Sequence, residues 1–342
     1  MGLDALVTSP PTLSPLAERG RRPKLVEVNS PMSQARFNTG VGTQRAVDVS
    51  VYPARARSSV KARREELETR LAALQKDYAE LHTEIYEAAQ VHRRLCAPRH
   101  VHFGNFEIAS EIFAVRHLPG DFFTVEEKHD GVILALGDIC GKGLAAGMWT
   151  THLVGLVGAR ATVTSEPETI VAGVNRDTCL TKSFMPLASL FVAKLDPSTG
   201  LVKYCSAGHP PALLLRANGE LELLSEGGML LGVFPGTPYV RGSFELRAGD
   251  VFMIYSDGIT ESLNCAGEEF GHARLEAQLR RAQAGPANSV AQGAAADAFT
   301  QAAADAMLFS VLGAVQDFAA ASPLVDDMSL AIVRRDSRWE TA

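Results

Sequence analysis

The chain has 342 residues, is 46% hydrophobic and 21% charged, and carries a formal net charge of −6. This composition is ordinary for a soluble protein and fits one large domain or two modest ones. No uninterrupted apolar span approaches the ~18 residues of a membrane helix, so none is expected. The N-terminus has no basic segment followed by an apolar one, which argues against a signal peptide. Cys96, Cys140, Cys179, Cys205 and Cys265 are scattered without CxxC spacing. That pattern points to free thiols in a reducing cytoplasm and away from a zinc site.

Charge is uneven along the chain. Residues 1–64 hold eleven Lys/Arg against four Asp/Glu, a balance of +7, so the remainder carries −13. A basic tail of this kind can meet nucleic acid, a membrane surface or an acidic partner. Its composition reads first as a solvated, disordered tail over 1–55, and no nucleic-acid or membrane partner is expected. A helix then begins near Ser58-Ser59 and ends at Pro98. Within it Leu67, Leu71, Leu74, Tyr78, Leu81, Ile85 and Ala88 recur at alternating spacings of four and three. That is a heptad seam, and it predicts a coiled-coil or linker helix over 56–98. Packing of the same seam on its own domain is the alternative.

Beyond residue 99 the pattern changes. Phe106–Val115 and Gly131–Gly137 read as strands. Lys142–Ala161 and Glu168–Lys182 read as helices. Strands follow at 187–195, 201–206, 211–216, 221–224, 243–247 and 250–255, punctuated by Gly, Pro and Asn. Ala287–Ala321 is Ala-rich and helical, and Met328–Arg334 closes the set as a strand. Adjacent strands with helices between them predict an α+β sandwich with antiparallel sheets over 99–336, followed by a short tail at 337–342.

Four short acidic stretches carry the chemistry. They are Pro119-Gly120-Asp121, Gly137-Asp138-Ile139-Cys140-Gly141-Lys142-Gly143, Ser256-Asp257-Gly258 and Asp326-Asp327-Met328. Asp138 and Asp257 each follow an apolar run, and Asp326-Asp327 precede one, as expected for carboxylates delivered at strand ends. Taken singly, each aspartate reads as a turn or cap residue. Gathered with no Cys or His, they suit hard cations such as Mg²⁺ or Mn²⁺. Ions held in this way can activate water and clamp a phosphoryl oxygen.

In order and spacing these segments resemble the SpoIIE/RsbU branch of the metal-dependent (PPM, type 2C) protein serine/threonine phosphatases. Pro119-Gly120-Asp121-Phe122-Phe123 is similar to the family's GGD-[YF]-[YF]. Gly137 through Ala146 is similar to GDVSGKG-x-AA, and Ala207-Gly208-His209-Pro210-Pro211 matches AGHPP in full. Ala248-Gly249-Asp250 through Glu261 is similar to PGD-x5-YTDG-x-[TV]-E, and Asp326-Asp327-Met328-Ser329 to DDMT. The resemblance covers roughly residues 88–335. It implies an αββα sandwich holding two Mn²⁺ or Mg²⁺ ions. Asp138 would bridge the ions, assisted by the Ile139 carbonyl. Asp121, Asp257 and Asp326 would complete the sphere, with Asp327 the position after the ligand. Asp138 and Asp257 are the implied catalytic residues. The implied substrate is a phosphoserine or phosphothreonine on an anti-sigma-factor antagonist or similar regulator. A homodimer through the N-terminal helix is expected from the seam.

Three departures bear on this. Pro119 replaces the first glycine of GGD and stiffens that turn, while Ile139 and Cys140 replace valine and serine. Cys140 reads as a small buried residue or an oxidation-sensitive thiol. His209 reads as structural or as a general acid, and Lys142 as a phosphate contact or a conformational residue at the helix start. His100 and His102 share one strand face, a surface pair or half of a metal site. The rival functions are a non-catalytic binding protein on the same fold and a two-metal phosphodiesterase or cyclase.

Overall fold

The computed structural model describes residues 54–96, 100–181, 186–285 and 303–335. The predicted tails fall outside these residues, apart from 54 and 55, which are helical. Pro98 and positions 287–302 of the predicted Ala-rich helix also lie outside them. In chain order the elements are α1 (Ala54–Cys96), β1 (His100–Phe103), β2 (Phe106–Phe113), β3 (Phe122–Lys128), β4 (Gly131–Ile139), α2 (Leu144–Val163), α3 (Pro167–Leu180), β5 (Ala188–Leu195), β6 (Leu201–Ala207), β7 (Ala212–Leu215), β8 (Leu221–Leu224), β9 (Gly227–Gly228), β10 (Gly242–Glu245), β11 (Val251–Tyr255), α4 (Asp257–Thr260), α5 (Gly271–Ala284), α6 (Ala303–Ala319) and β12 (Met328–Arg335).

The strands form two sheets. One runs β1-β2-β12-β11-β7-β8, the other β10-β6-β5-β4-β3, with β9 added parallel to β6. All other pairings are antiparallel. β4 shows how the layers arise. Side chains alternate along a strand, so Val132, Leu134 and Leu136 enter a core shared with Phe191, Phe252, Ile254 and Val333 between the sheets. Ile133, Ala135 and Ile139 face the other way, against Leu153, Val157, Ile170 and Val174 of α2 and α3. On the far side Met253, Tyr255, Leu330 and Ile332 pack on Leu275 and Leu279 of α5 and Met307, Val311 and Val315 of α6. The result is the expected αββα sandwich. Each fully buried Val, Leu, Ile or Phe contributes about 1.5–3 kcal/mol.

Three elements differ from the sequence reading. β3 is an edge strand whose Thr124, Glu126 and Glu127 interrupt its apolar residues. It forms because Phe123 enters the inter-sheet core and Phe122 the helix side. α5 is polar and buries only Leu275 and Leu279. β9 is two glycines, and a Cβ on Gly227 would lie 1.7 Å from the Ser206 carbonyl oxygen, so only glycine permits that pairing.

The site lies in the unit Glu68–Ala342. In α1 the seam residues Leu71, Leu74, Tyr78 and Leu81 are each more than half exposed, and Ile85 is half-buried. The helix instead buries His92 and Cys96 at its C-terminal end. Among the described residues no helix is long and apolar enough to cross a membrane.

Candidate metal centre

Each sheet delivers two of the four predicted carboxylates. Phe122 pairs with Gly137, so Asp121 and Asp138 emerge side by side from β3 and β4. Tyr255 pairs with Leu330, which brings Asp257, just after β11, toward Asp326 and Asp327, just before β12. The charges are felt across the sheets. Asp138 is pushed up to about 6, first by burial and then by Asp257, Asp326 and Asp327, against a hydrogen bond with Asp121. Asp121 is 1% exposed, and burial followed by the Asp138 charge raises it well above the carboxylate range. Ser329 Oγ donates to its Oδ2 at 2.5 Å.

The neighbouring backbone is shaped for this cluster. A Cβ on Gly120 would lie 3.2 Å from the Ile139 carbonyl oxygen and 3.6 Å from Asp138 Oδ1. The absent side chain thus leaves room beside two of the expected ligands. A Cβ on Gly258 would lie 2.0 Å from the Asp327 carbonyl oxygen, so the turn after Asp257 requires glycine. Gly141 and Gly143 take φ values of 143° and 83°, which turns the chain out of β4 and into α2.

Asp326 and Asp327 have different surroundings. Asp327 Oδ1 accepts from the Val115 amide and Oδ2 from the Gly120 amide, both at 2.7 Å. It clamps the loop that carries Asp121. Asp326 is 39% exposed, with Lys142 Nζ 2.8 Å from its Oδ2. Lys142 is therefore an ion-pair partner of an expected ligand. Pro119 removes no donor from this clamp, since the amides used are those of Val115 and Gly120.

The donor set is all hard oxygen, and its carboxylates repel one another in a buried setting. Such a set fits a divalent cation, which would remove that repulsion. Among the described residues no three His, Cys, Asp or Glu groups already stand in metal-holding geometry.

A cleft of about 460 Å³ opens on the cluster, lined by Asp138, Asp257, Ser189, His209, Glu261 and His272 among others. His209 is buried. Its Nδ1 lies 2.7 Å from Ser189 Oγ, and its Nε2 has no hydrogen-bond partner of good geometry. Burial pushes the ring down to about 3, against an opposing influence of the Tyr255 backbone, so it is neutral. Cys140 is exposed rather than buried, and its thiol is raised first by partial burial, then by Asp138 and Asp257. The His100 and His102 rings lie 4.6 Å apart, with His100 Nδ1 3.1 Å from Asp305 Oδ2, a pairing made by tertiary contact with α6. The sequence reading missed His272, a lone histidine after a glycine, and the clamp made by Asp327.

The chain is 25% identical over 188 residues to protein IcfG of Synechocystis sp., covering 47% of this chain and 30% of IcfG. It is 22% identical over 183 residues to the phosphoserine phosphatase RsbU of Bacillus subtilis, covering 53% of this chain and 55% of RsbU. The chain thus spans about half of RsbU and less of IcfG. Among solved structures, the SiaA-PP2C domain of Pseudomonas aeruginosa has the same fold, with a TM-score of 0.61 at 15% identity over 76% of this chain and 99% of that one. The family model of Stage II sporulation protein E matches residues 128–336, more than half of the chain. This chain belongs to the SpoIIE family.

Proposed function

We propose that the chain is a metal-dependent protein serine/threonine phosphatase acting on a phosphorylated regulator of the anti-sigma-factor antagonist type. The observation that carries this is the convergence of Asp121 and Asp138 from one sheet with Asp257 and Asp326 from the other, with Asp138 and Asp257 lining an open cleft. Asp138 would serve two ions, and the Ile139 carbonyl, Asp121, Asp257 and Asp326 would be the further ligands. When bound, two Mn²⁺ or Mg²⁺ ions supply Lewis-acid activation of water and neutralise phosphoryl charge. The chain's own part is orientation. Ser329 holds Asp121, Asp327 holds the Asp121 loop, and Gly141 and Gly143 aim the β4–α2 turn at the cluster. Pro210 and Pro211 stiffen one wall of the cleft.

The protein substrate follows from family membership and from the name of RsbU as a phosphoserine phosphatase. A cytoplasmic setting fits the five free cysteines. The exposed seam of α1 supports a homodimer through parallel helices. Such a dimer has a direct route to the centre, because the His92 ring N–H reaches the Gly147 carbonyl of α2 at 3.1 Å. A shift in coil geometry would act on the helix that follows the Asp138 turn.

The deciding experiment is hydrolysis of p-nitrophenyl phosphate with Mn²⁺, compared with excess EDTA, for the unmodified chain and Asp138→Asn. Turnover that needs both the ion and the Asp138 carboxylate supports the reading. Full activity in EDTA or in Asp138→Asn refutes it.

A further inference from the structure

Hydrolysis of a phosphoserine releases a serine hydroxyl, whose oxygen needs a proton as the bond to phosphorus breaks. Most titratable side chains lining the cleft are unsuited to supply one. His209 is buried and tied to Ser189. Asp138 and Asp257 belong to the cation site. The Cys140 thiol stands beside two of those carboxylates. His272 and Glu261 are left.

His272 is the second residue of α5 and is exposed at the cleft. Among the described residues its ring is held by Tyr255. Tyr255 Oη lies 3.1 Å from Nδ1, and the two rings meet edge to face with centroids 6.3 Å apart. A tyrosine hydroxyl can donate to Nδ1 or accept from it. The same contact therefore orients the ring whether it is neutral or protonated, and it does not use Nε2. A general acid needs one ring nitrogen anchored and the other available to the substrate, and His272, which lines the cleft, has its Nδ1 anchored.

We propose that His272 is the general acid that protonates the leaving oxygen, a role that rests on the phosphatase reading above. The oxygen of the attacking water forms the new bond to phosphorus. The bond from phosphorus to serine Oγ breaks and leaves its electron pair on Oγ. The Nε2 proton of the imidazolium passes to Oγ. Neutral imidazole remains, with its Nδ1–H donated to Tyr255 Oη, and the proton of the attacking water goes to solvent. The ring regains its proton from solvent before the next turnover.

The test separates leaving groups. The phenolate of p-nitrophenyl phosphate departs without a proton, whereas the serine of a phosphoserine peptide does not. His272→Gln keeps a donor near the position of Nε2 but cannot transfer a proton, and the p-nitrophenyl phosphate rate reports any disturbance from losing the Tyr255 contact. With Mn²⁺ at one pH, the variant is expected to lose on the order of 100-fold in kcat/KM on the phosphoserine peptide and less than about twofold on p-nitrophenyl phosphate. Equal losses on both substrates, or no loss on either, would overturn the assignment. So would a selective loss in Glu261→Gln that is absent from His272→Gln. If the unmodified chain turns over neither substrate, the phosphatase reading fails and the general acid with it. If it turns over both, only the role of His272 is at stake.

Discussion

Asp327→Ala and Asp326→Ala should separate a structural clamp from a metal ligand, although the two residues are adjacent. Asp327 is buried and accepts the Val115 and Gly120 amides at 2.7 Å each. Hydrogen bonds to a charged group contribute roughly 1.5–3 kcal/mol apiece, so the pair is worth about 3–6 kcal/mol gross. The carboxylate no longer has to be desolvated in the variant, which offsets part of this, and Asp327→Ala should lose roughly 3 kcal/mol of unfolding free energy. Asp326 has its half-exposed ion pair with Lys142, worth about 0–1 kcal/mol, and one local hydrogen bond from the Asp327 amide at 2.9 Å to lose. Urea unfolding in EDTA reads these differences without the metal, and Mn²⁺ titration by calorimetry reads the ligand role. Asp326→Ala should be nearly as stable as the parent yet bind Mn²⁺ much more weakly. If instead Asp327→Ala unfolds like the parent and only its metal affinity falls, the ligand assignment at this pair is reversed.

Other outcomes follow from the same contacts. His209 is neutral in the folded chain because burial depresses it from 6.5 to about 3. The unfolded chain binds the extra proton between those values, so this contribution is complete above pH 6.5 and is lost as pH falls toward 3. Between pH 7 and pH 5 it amounts to about 2 kcal/mol. His209→Gln should flatten the pH dependence of the urea midpoint by that amount, and an unchanged slope would contradict the assignment. Leu74→Asp with Leu81→Asp should convert a dimer to monomers in light scattering at micromolar concentration. A monomeric parent would remove the basis for a switch through α1. Gly120→Ala places a Cβ 3.2 Å from the Ile139 carbonyl oxygen. It should weaken Mn²⁺ binding more than it lowers metal-free stability, and retained affinity would show that the carbonyl is not a ligand.

Much of the fold was legible because it rests on buried strands. Val132–Leu136 and Val251–Tyr255 are buried on both faces, and such strands read as continuous apolar runs. β3 and α5 were not legible because each shows the core only a few side chains. Phe122 and Phe123 stand beside the acid of a motif, and Leu275 and Leu279 lie among charged residues. Their apolar signal is weaker than the polar signal of their solvent faces, and only tertiary packing turns them into elements.

The site divides along the same physical line. Carboxylates at strand ends can be recognised because the apolar run before or after each one fixes where it must emerge, and hydrogen-bonded pairing then brings Asp121 beside Asp138. No local pattern shows which atoms a side chain will meet across 200 residues of chain. Asp327 clamps the amides of Val115 and Gly120, Lys142 pairs with Asp326, and Tyr255 orients His272. The first two join segments whose proximity exists only after the sheets have stacked, and the third needs α5 to pack on β11. His209 was ambiguous for the converse reason. The Ala207–Pro211 turn names a histidine near the cleft, but only burial against the sheet decides that it stays neutral. Chemistry carried by the ends of buried strands was therefore readable in advance. Chemistry carried by exposed loops and helix starts, such as that proposed for His272, depends on which surface the folded sandwich places beside the cleft.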